Sequence, residues 1–301
     1  MARLVVTPRG IALGSLLVLL AALGASAEEI ILQPRRSPGD SYELSLSAAT
    51  SSELLSRGDR DRSRQEDVEL RYRATVVVLE TDGRGIPIRE RHQGVSLTFQ
   101  RAGESGSLFG EGTSFEVRRV QPGDVQIFIQ GRRAERKIEK VVARVLASQL
   151  EYGIGALVEP GRAVQVGETW ELDRARVKRF LRAEGIRRFE LGAPPTATLS
   201  TQSGEGEGSL VVRYEIPVAS FELAVMPPNT HVARSEGSLR GEIRLGSDAA
   251  RSPVQHTSTF DLSLHGAVDK YGVVRPSAWS YRRSESLDQL TQPAKPELAS
   301  R

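Results

Sequence analysis

The chain contains no cysteine. That excludes disulfides, thiolate metal sites, cysteine nucleophiles and the lipid-attachment cysteine by which exported bacterial proteins are tethered. Aromatic residues make up only 5% of the 301 positions, and Trp170 and Trp279 are the only large stacking platforms, a poor endowment for a sugar-cleaving cleft. Lysine is scarce, with Lys137, Lys140, Lys178, Lys270 and Lys295 against 36 arginines, and Asn229 is the sole asparagine. This bias matches a GC-rich bacterial genome. Neither sign of charge is in large excess: the formal net charge is +3, which removes a global electrostatic case for nucleic-acid binding.

Long apolar runs are missing except near the start. Arg3 and Arg9 precede an apolar stretch over 11–23, and Ala25-Ser26-Ala27 places small residues where a signal peptidase reads. The pattern predicts a secretory leader over 1–27, cut between Ala27 and Glu28. It is too short for a membrane span, which takes roughly 20 apolar residues. The mature chain is therefore expected in the periplasm or secreted, with no transmembrane segment once the leader is removed. With 39% apolar residues it can build one large domain or two small ones.

Strand signals dominate what remains. Val68, Leu70, Tyr72, Ala74, Val76 and Val78 alternate with Glu69, Arg71, Arg73 and Thr75, the period of a half-buried strand. Asp82-Gly83 then supplies a turn, and Ile86, Ile88, Val95, Leu97 and Phe99 continue a hairpin with a bulge near Gly94. The later half repeats the style through Leu210, Val212, Tyr214 and Ile216, then Leu239, Ile243 and Leu245, then Phe260, Leu262 and Leu264.

Two segments break the period. Over 135–150, Ile138, Val141, Val142, Val145, Leu146 and Leu150 recur at three and four, predicting an amphipathic helix of about four turns. A shorter helix is expected over 173–184, capped by Asp173 and ended by Gly185. The charged run 58–67, the break at Ala193-Pro194-Pro195, 203–209 and 226–229 read as loops, and the tail 287–301 as disordered.

One pattern occurs twice: G-D-S-Y-E-L over 39–44 and G-E-T-W-E-L over 167–172. Each reads as a turn followed by a strand whose aromatic, Tyr42 or Trp170, plugs the end of a core. The doubling suggests two weakly similar lobes, 28–150 and 151–286, or one sheet whose strands open the same way twice. G-E-T-W-E-L followed by alternating strands resembles uncharacterised exported bacterial proteins that carry a V-G-[DE]-x-W element. Long strands around a helix are similar in architecture to the half-barrels that carry lipids or lipoproteins through the periplasm. The resemblance implies a mainly β (α+β) fold of long antiparallel, curved sheets with one long and one short amphipathic helix, and no catalytic residues.

Chemistry is sparse. The histidines are His92, His231, His256 and His265, without metal-ligand spacing, so neither a metal site nor a cofactor is expected. His256 shares a strand face with Phe260, Leu262 and Leu264, which predicts a core or cavity histidine with one satisfied nitrogen. Gly103-Glu104-Ser105-Gly106-Ser107 lacks the last glycine of a nucleophile elbow and reads as a loop between strands. Gly204, Gly206 and Gly208 alternate with acids, which repel phosphate. Local charge is more suggestive: Arg136, Lys140 and Arg144 line the first helix, and Arg174, Lys178 and Arg182 the second. They form either a solvated face or a surface for anionic lipid headgroups, lipopolysaccharide or an acidic partner. The expected function is a non-enzymatic envelope protein that binds or carries a lipid-like ligand. The alternatives are a structural or adaptor module for another envelope protein and an unrecognised hydrolase. An apolar cavity would favour the carrier, filled cores with a basic face the adaptor, and a cleft where acids meet His256 the hydrolase.

Overall fold

The computed structural model describes residues 30, 32, 36–57, 62–110, 112–121, 124–147, 154–202, 209–226, 229–245, 254–270 and 273–293. The leader and its Ala27/Glu28 cleavage point, and the lobe boundary at 150/151, lie outside them. The first half runs β1 Ser41–Arg57, β2 Arg62–Thr81, β3 Pro87–Arg101, β4 Glu104–Ser107, β5 Thr113–Gln121, β6 Asp124–Ile129 and β7 Arg132–Arg133, then helices α1 Arg136–Ala147 and α2 Ile154–Val158. The second runs β8 Thr169–Glu171, α3 Arg174–Ala183, β9 Ile186–Arg187, β10 Glu190–Leu191, β11 Thr196–Gln202, β12 Ser209–Ala219, β13 Glu222–Leu223, β14 Thr230–Leu245, β15 Val254–Lys270 and β16 Val273–Pro293.

Fourteen of these strands form one antiparallel sheet that does not close, with the main order β7-β6-β5-β3-β2-β1-β16-β15-β14-β12-β11-β8. The first and last long strands pair at its centre, from Tyr42 opposite Pro293 to Arg57 opposite Ala278. Alternation puts Tyr42, Leu44 and Leu46 on one face of β1, and Tyr72, Ala74, Val76 and Val78 on the same face of β2. This inner face is the one the helices cover. Its apolar side chains gather in two cores. One joins β1, β2, β3, β5 and β6 to Val142, Val145 and Leu146 of α1. The other joins β11, β12, β14 and β15 to Val177 and Leu181 of α3 and to α2.

The expected hairpin, bulge and helices are all present. Asp82 accepts from the backbone N–H groups of Arg84 and Ile86, and the β2–β3 register slips at Arg73/Thr75 opposite Gly94. Asp173 accepts from the Arg176 backbone N–H as the N-cap of α3. Three expectations need correction. Residues 62–67 of the charged run are strand, because each pairs with β1 between Ser51 and Ser56 and the hairpin overrides their polarity. Residues 104–107 are not loop but β4, folded back on β3 through Ala102-Gly103. The tail begins later than 287, since β16 stays paired with β1 to Pro293.

The doubled stretch is one turn made twice. Gly39 and Gly167 have φ of 93° and 88°, a region that L side chains avoid. In the first copy the Asp40 carboxylate accepts from the Ser37 N–H at 2.8 Å, while the Asp40 N–H donates to the Ser37 carbonyl at 3.0 Å. In the second, Glu168 does both with Gln165, each at 3.0 Å. Each glycine N–H then donates to a neighbouring strand, to Val78 O at 2.8 Å and to Leu199 O at 2.7 Å. The chain leaves both turns as a strand of the same sheet with its aromatic in a core, Tyr42 in one and Trp170 in the other. Their continuations differ because Leu172 is followed by a helix cap, whereas Leu44 is followed by further alternation.

Gly39→Ala and Gly167→Ala should each lower stability by about 1–2 kcal/mol, because alanine must adopt the left-handed region. Urea unfolding of the two variants measures this. An unchanged midpoint in both would show that the turn does not set the repeat.

Candidate functional site

Polar side chains are buried on the inner face in two places. In the first core the Tyr42 hydroxyl donates to Glu90 Oε1 at 2.8 Å, and the Tyr72 hydroxyl bonds His92 Nδ1 at 2.7 Å. Glu90 and His92 are both 0% exposed, and the imidazole stacks on Phe115 at 5.2 Å between centroids. Burial, then the Glu90 carboxylate, push the Tyr72 hydroxyl well above its usual pKa, so it stays protonated. The sequence carried a signal that our reading missed: Glu90 and His92 follow Ile86 and Ile88 at period two, before the bulge, and so occupy inward positions.

The second group surrounds His256. Its Nε2 bonds the Tyr214 hydroxyl at 2.9 Å, the single satisfied nitrogen expected of a core histidine. Tyr214 reaches it by lying across Gly241, where any side chain would overlap the ring. Ser258 Oγ donates to Glu285 at 3.5 Å, and Arg283 bonds Glu285 and, at 2.6 Å, the Glu184 carboxylate at the C-terminal end of α3. Burial opposes the charge on Arg283, and Glu184 and Glu285 overcome that, holding it above its usual pKa. Burial pushes His256 down to about 4, against the pull of Glu285.

Acids therefore do approach His256, and each polar group there already has a partner. His256 spends Nε2 on Tyr214, the Ser258 hydroxyl is bonded to Glu285, and both residues are buried. A cleft of about 220 Å³ does open beside them, lined by Glu242, Arg244, Gln255, His256, Thr257, Ser286, Leu287 and Asp288. Most of those residues belong to the opposite, solvated face of β14–β16 and are of polar or charged type, but the atoms they turn to the cleft are mostly apolar.

At the rim of the first core the inner face changes character row by row. One row runs His256, Leu287, Ala48, Leu70 and Phe99, directly opposite one another across β15, β16, β1, β2 and β3. Its first two members are buried, Ala48 and Leu70 are partly buried, and Phe99, whose ring lies over Gly106, is 38% exposed. The next rows are increasingly polar: Ser258, Glu285, Thr50 and Val68, then Phe260, Arg283, Ser52 and Glu66. An apolar shelf thus borders a polar one on the same surface.

The basic residues singled out from sequence fall in two groups. Arg136 and Lys140 on α1, and Lys178 and Arg182 on α3, are exposed and have no ion-pair partner among the described residues. Arg174 is instead paired with Glu171 at 3.1 Å. The Arg144 side chain lies outside the described residues. No group of acids and histidines suited to a metal ion occurs among the described residues, and no described helix is long and apolar enough to cross a membrane.

No family model matches the chain, and no curated protein matches it by sequence. Among solved structures it is similar to lipovitellin, solved in a study of lipid-protein interactions, at 12% identity and a TM-score of 0.34. The match covers 88% of this chain but only 27% of lipovitellin's. The Pseudomonas aeruginosa protein OccK2 (OpdF), solved with glucuronate, is 8% identical with a TM-score of 0.22, covering 83% of this chain and 96% of its own. Pseudomonas aeruginosa OpdQ is 5% identical with a TM-score of 0.16, covering 86% and 100%. These likenesses are too distant to transfer a function.

The titration of His256 gives a pH test. A histidine held neutral in the fold, with its pKa at about 4 against 6.5 when unfolded, contributes stability that is complete above pH 6.5 and is lost as pH falls through 4. The loss should reach about 3 kcal/mol. Glu116, held at about 2 by its bonds to Arg89 and Arg118, acts in a lower window, losing its contribution as pH falls from 4.5 towards 2. His256→Gln should flatten the urea-midpoint profile between pH 6.5 and 4 and leave the lower limb in place. An unaltered profile in the upper window would contradict this.

Proposed function

We propose that this chain is a non-enzymatic, exported protein of the bacterial envelope that binds a lipid-like ligand on the inner face of its open sheet. The observation that carries the reading is the row that starts at the buried Leu287 on the rim of the first core and runs through the partly buried Ala48 and Leu70 to the exposed Phe99, bordered by Thr50, Glu285 and Arg283. An amphiphile matches it: hydrocarbon covers the first row while hydroxyls or amides meet the second. Each methylene removed from water there contributes about 0.8 kcal/mol. The two cores are filled by packed side chains, so the ligand lies on the partly exposed rim of the first core, over Ala48, Leu70 and Phe99. The adaptor reading is second, and the unpartnered cations on α1 and α3 favour it.

Two measurements test the proposal. Protein recovered from the periplasm or medium of a bacterial host should begin at Glu28, and native mass spectrometry should find co-purified amphiphile. Phe99→Glu, which changes a half-exposed side chain, should lose that ligand while keeping the wild-type circular dichroism and unfolding midpoint. Absence of any bound amphiphile, together with no uptake of an apolar fluorescent probe, would remove the carrier reading. A first residue other than Glu28 would overturn the predicted cleavage alone.

A further inference from the structure

The chain's positive charge is concentrated. Helix α1, R-K-I-E-K-V-V-A-R-V-L-A, carries four basic residues and one acid, and α3, R-A-R-V-K-R-F-L-R-A, carries five and none. Their net charges of +3 and +5 exceed the +3 of the entire chain, so everything else taken together is acidic. Both helices lie over the same face of one continuous sheet.

Local pairing does not neutralise them. The single acid of α1, Glu139, is taken by Arg133 at 2.9 Å, and on α3 only Arg174 and Arg176 find carboxylates, Glu171 and Glu159, each at 3.1 Å. Arg136, Lys137 and Lys140, and Lys178, Arg179 and Arg182, remain exposed with no carboxylate partner among the described residues. Val141, 39% exposed, stands one turn beyond Lys137 and beside Lys140, which places an apolar side chain within the charged face of α1.

We infer that the outward faces of α1 and α3 dock the protein on an anionic lipid bilayer. A pocket for one phosphate needs cations that converge; these lie on two helices that cover different cores. A charged plane meets such an array without demanding register, and lysine and arginine beside a half-exposed valine suit the headgroup boundary. An acidic protein partner would have to match both helices at once. This docking is independent of the ligand shelf, and it places the shelf's protein at a lipid source.

The test is co-sedimentation of the full mature chain with vesicles of phosphatidylcholine, with and without one third phosphatidylglycerol. Binding is expected only to the anionic vesicles and is expected to disappear at high salt. Lys137→Gln with Lys140→Gln, and separately Lys178→Gln with Arg182→Gln, should each weaken partitioning by roughly tenfold or more. These side chains are exposed and unpaired, and unchanged circular dichroism will confirm that the variants fold. Phe99→Glu should bind the anionic vesicles as the wild type does, which separates failure of docking from failure of the shelf. Equal binding to neutral vesicles, or no effect of either double variant, would overturn the inference. Displacement by inorganic phosphate at constant ionic strength would replace it with a discrete anion site. Binding to polyglutamate without binding to anionic vesicles would replace it with an acidic partner.

Discussion

The central ladder between β1 and β16 is the constraint on which the rest depends. The strand that opens the described sheet and the one that closes it run antiparallel over sixteen opposed positions, from Tyr42/Pro293 to Arg57/Ala278. Because side chains alternate, that single register fixes which residues of both strands face inward, and the neighbouring ladders pass the choice on to either edge. A slip of one residue by β1 would put Leu44 and Leu46 in water and draw Glu43 inside, and the same slip by β16 would expose Leu287 and draw in Asp288. Both helices follow from it, since each has a buried stripe that only an apolar sheet face can cover.

A face this long would not specify one register if it were uniformly greasy, and the buried polar groups supply the distinction. Each half holds a tyrosine–histidine pair, Tyr72 with His92 and Tyr214 with His256, and each pair links different strands. Out of register, the hydroxyl and the imidazole nitrogen would be buried without partners, at about 1–3 kcal/mol for each orphaned group. Arg283 acts over a longer distance. It joins the middle of β16 to Glu184 at the end of α3, so the helix position is tied to the central ladder by a buried charge and not by packing alone.

What the sequence showed depended on how local its cause was. The alternation over 68–78, the bulge at Gly94, the Asp173 cap and the doubled turn each arise within a few residues, and each could be seen in the one-dimensional text. Period two marked Glu90 and His92 as inward, but their bonding partners could not be seen, because Tyr42 and Tyr72 arrive from two other strands. The strand character of 62–67 and of β4 depends on pairing that overrides polar composition, and α2 is a single turn with too few residues for a period to show. The shelf ending at Phe99 has the same origin: its members are 48, 70, 99 and 287, and only the register makes them neighbours.

The open edges complete the logic. An unclosed sheet exposes backbone donors and acceptors at both ends, an invitation to aggregation. Here one edge ends in β7, two residues long, and the other in β8, three residues long, so the outermost strands themselves are short. Across the inner side, Glu159 takes Arg84 from the β2–β3 turn at 3.3 Å and Arg176 from α3 at 3.1 Å, holding the two halves together at one end without a hydrogen-bonded seam. A closed barrel would have buried its interior on all sides. The β1–β16 ladder joins the halves and the side-chain clasp adds to it at one end, while the rim of the first core from Ala48 and Leu70 to Phe99 stays within reach of solvent.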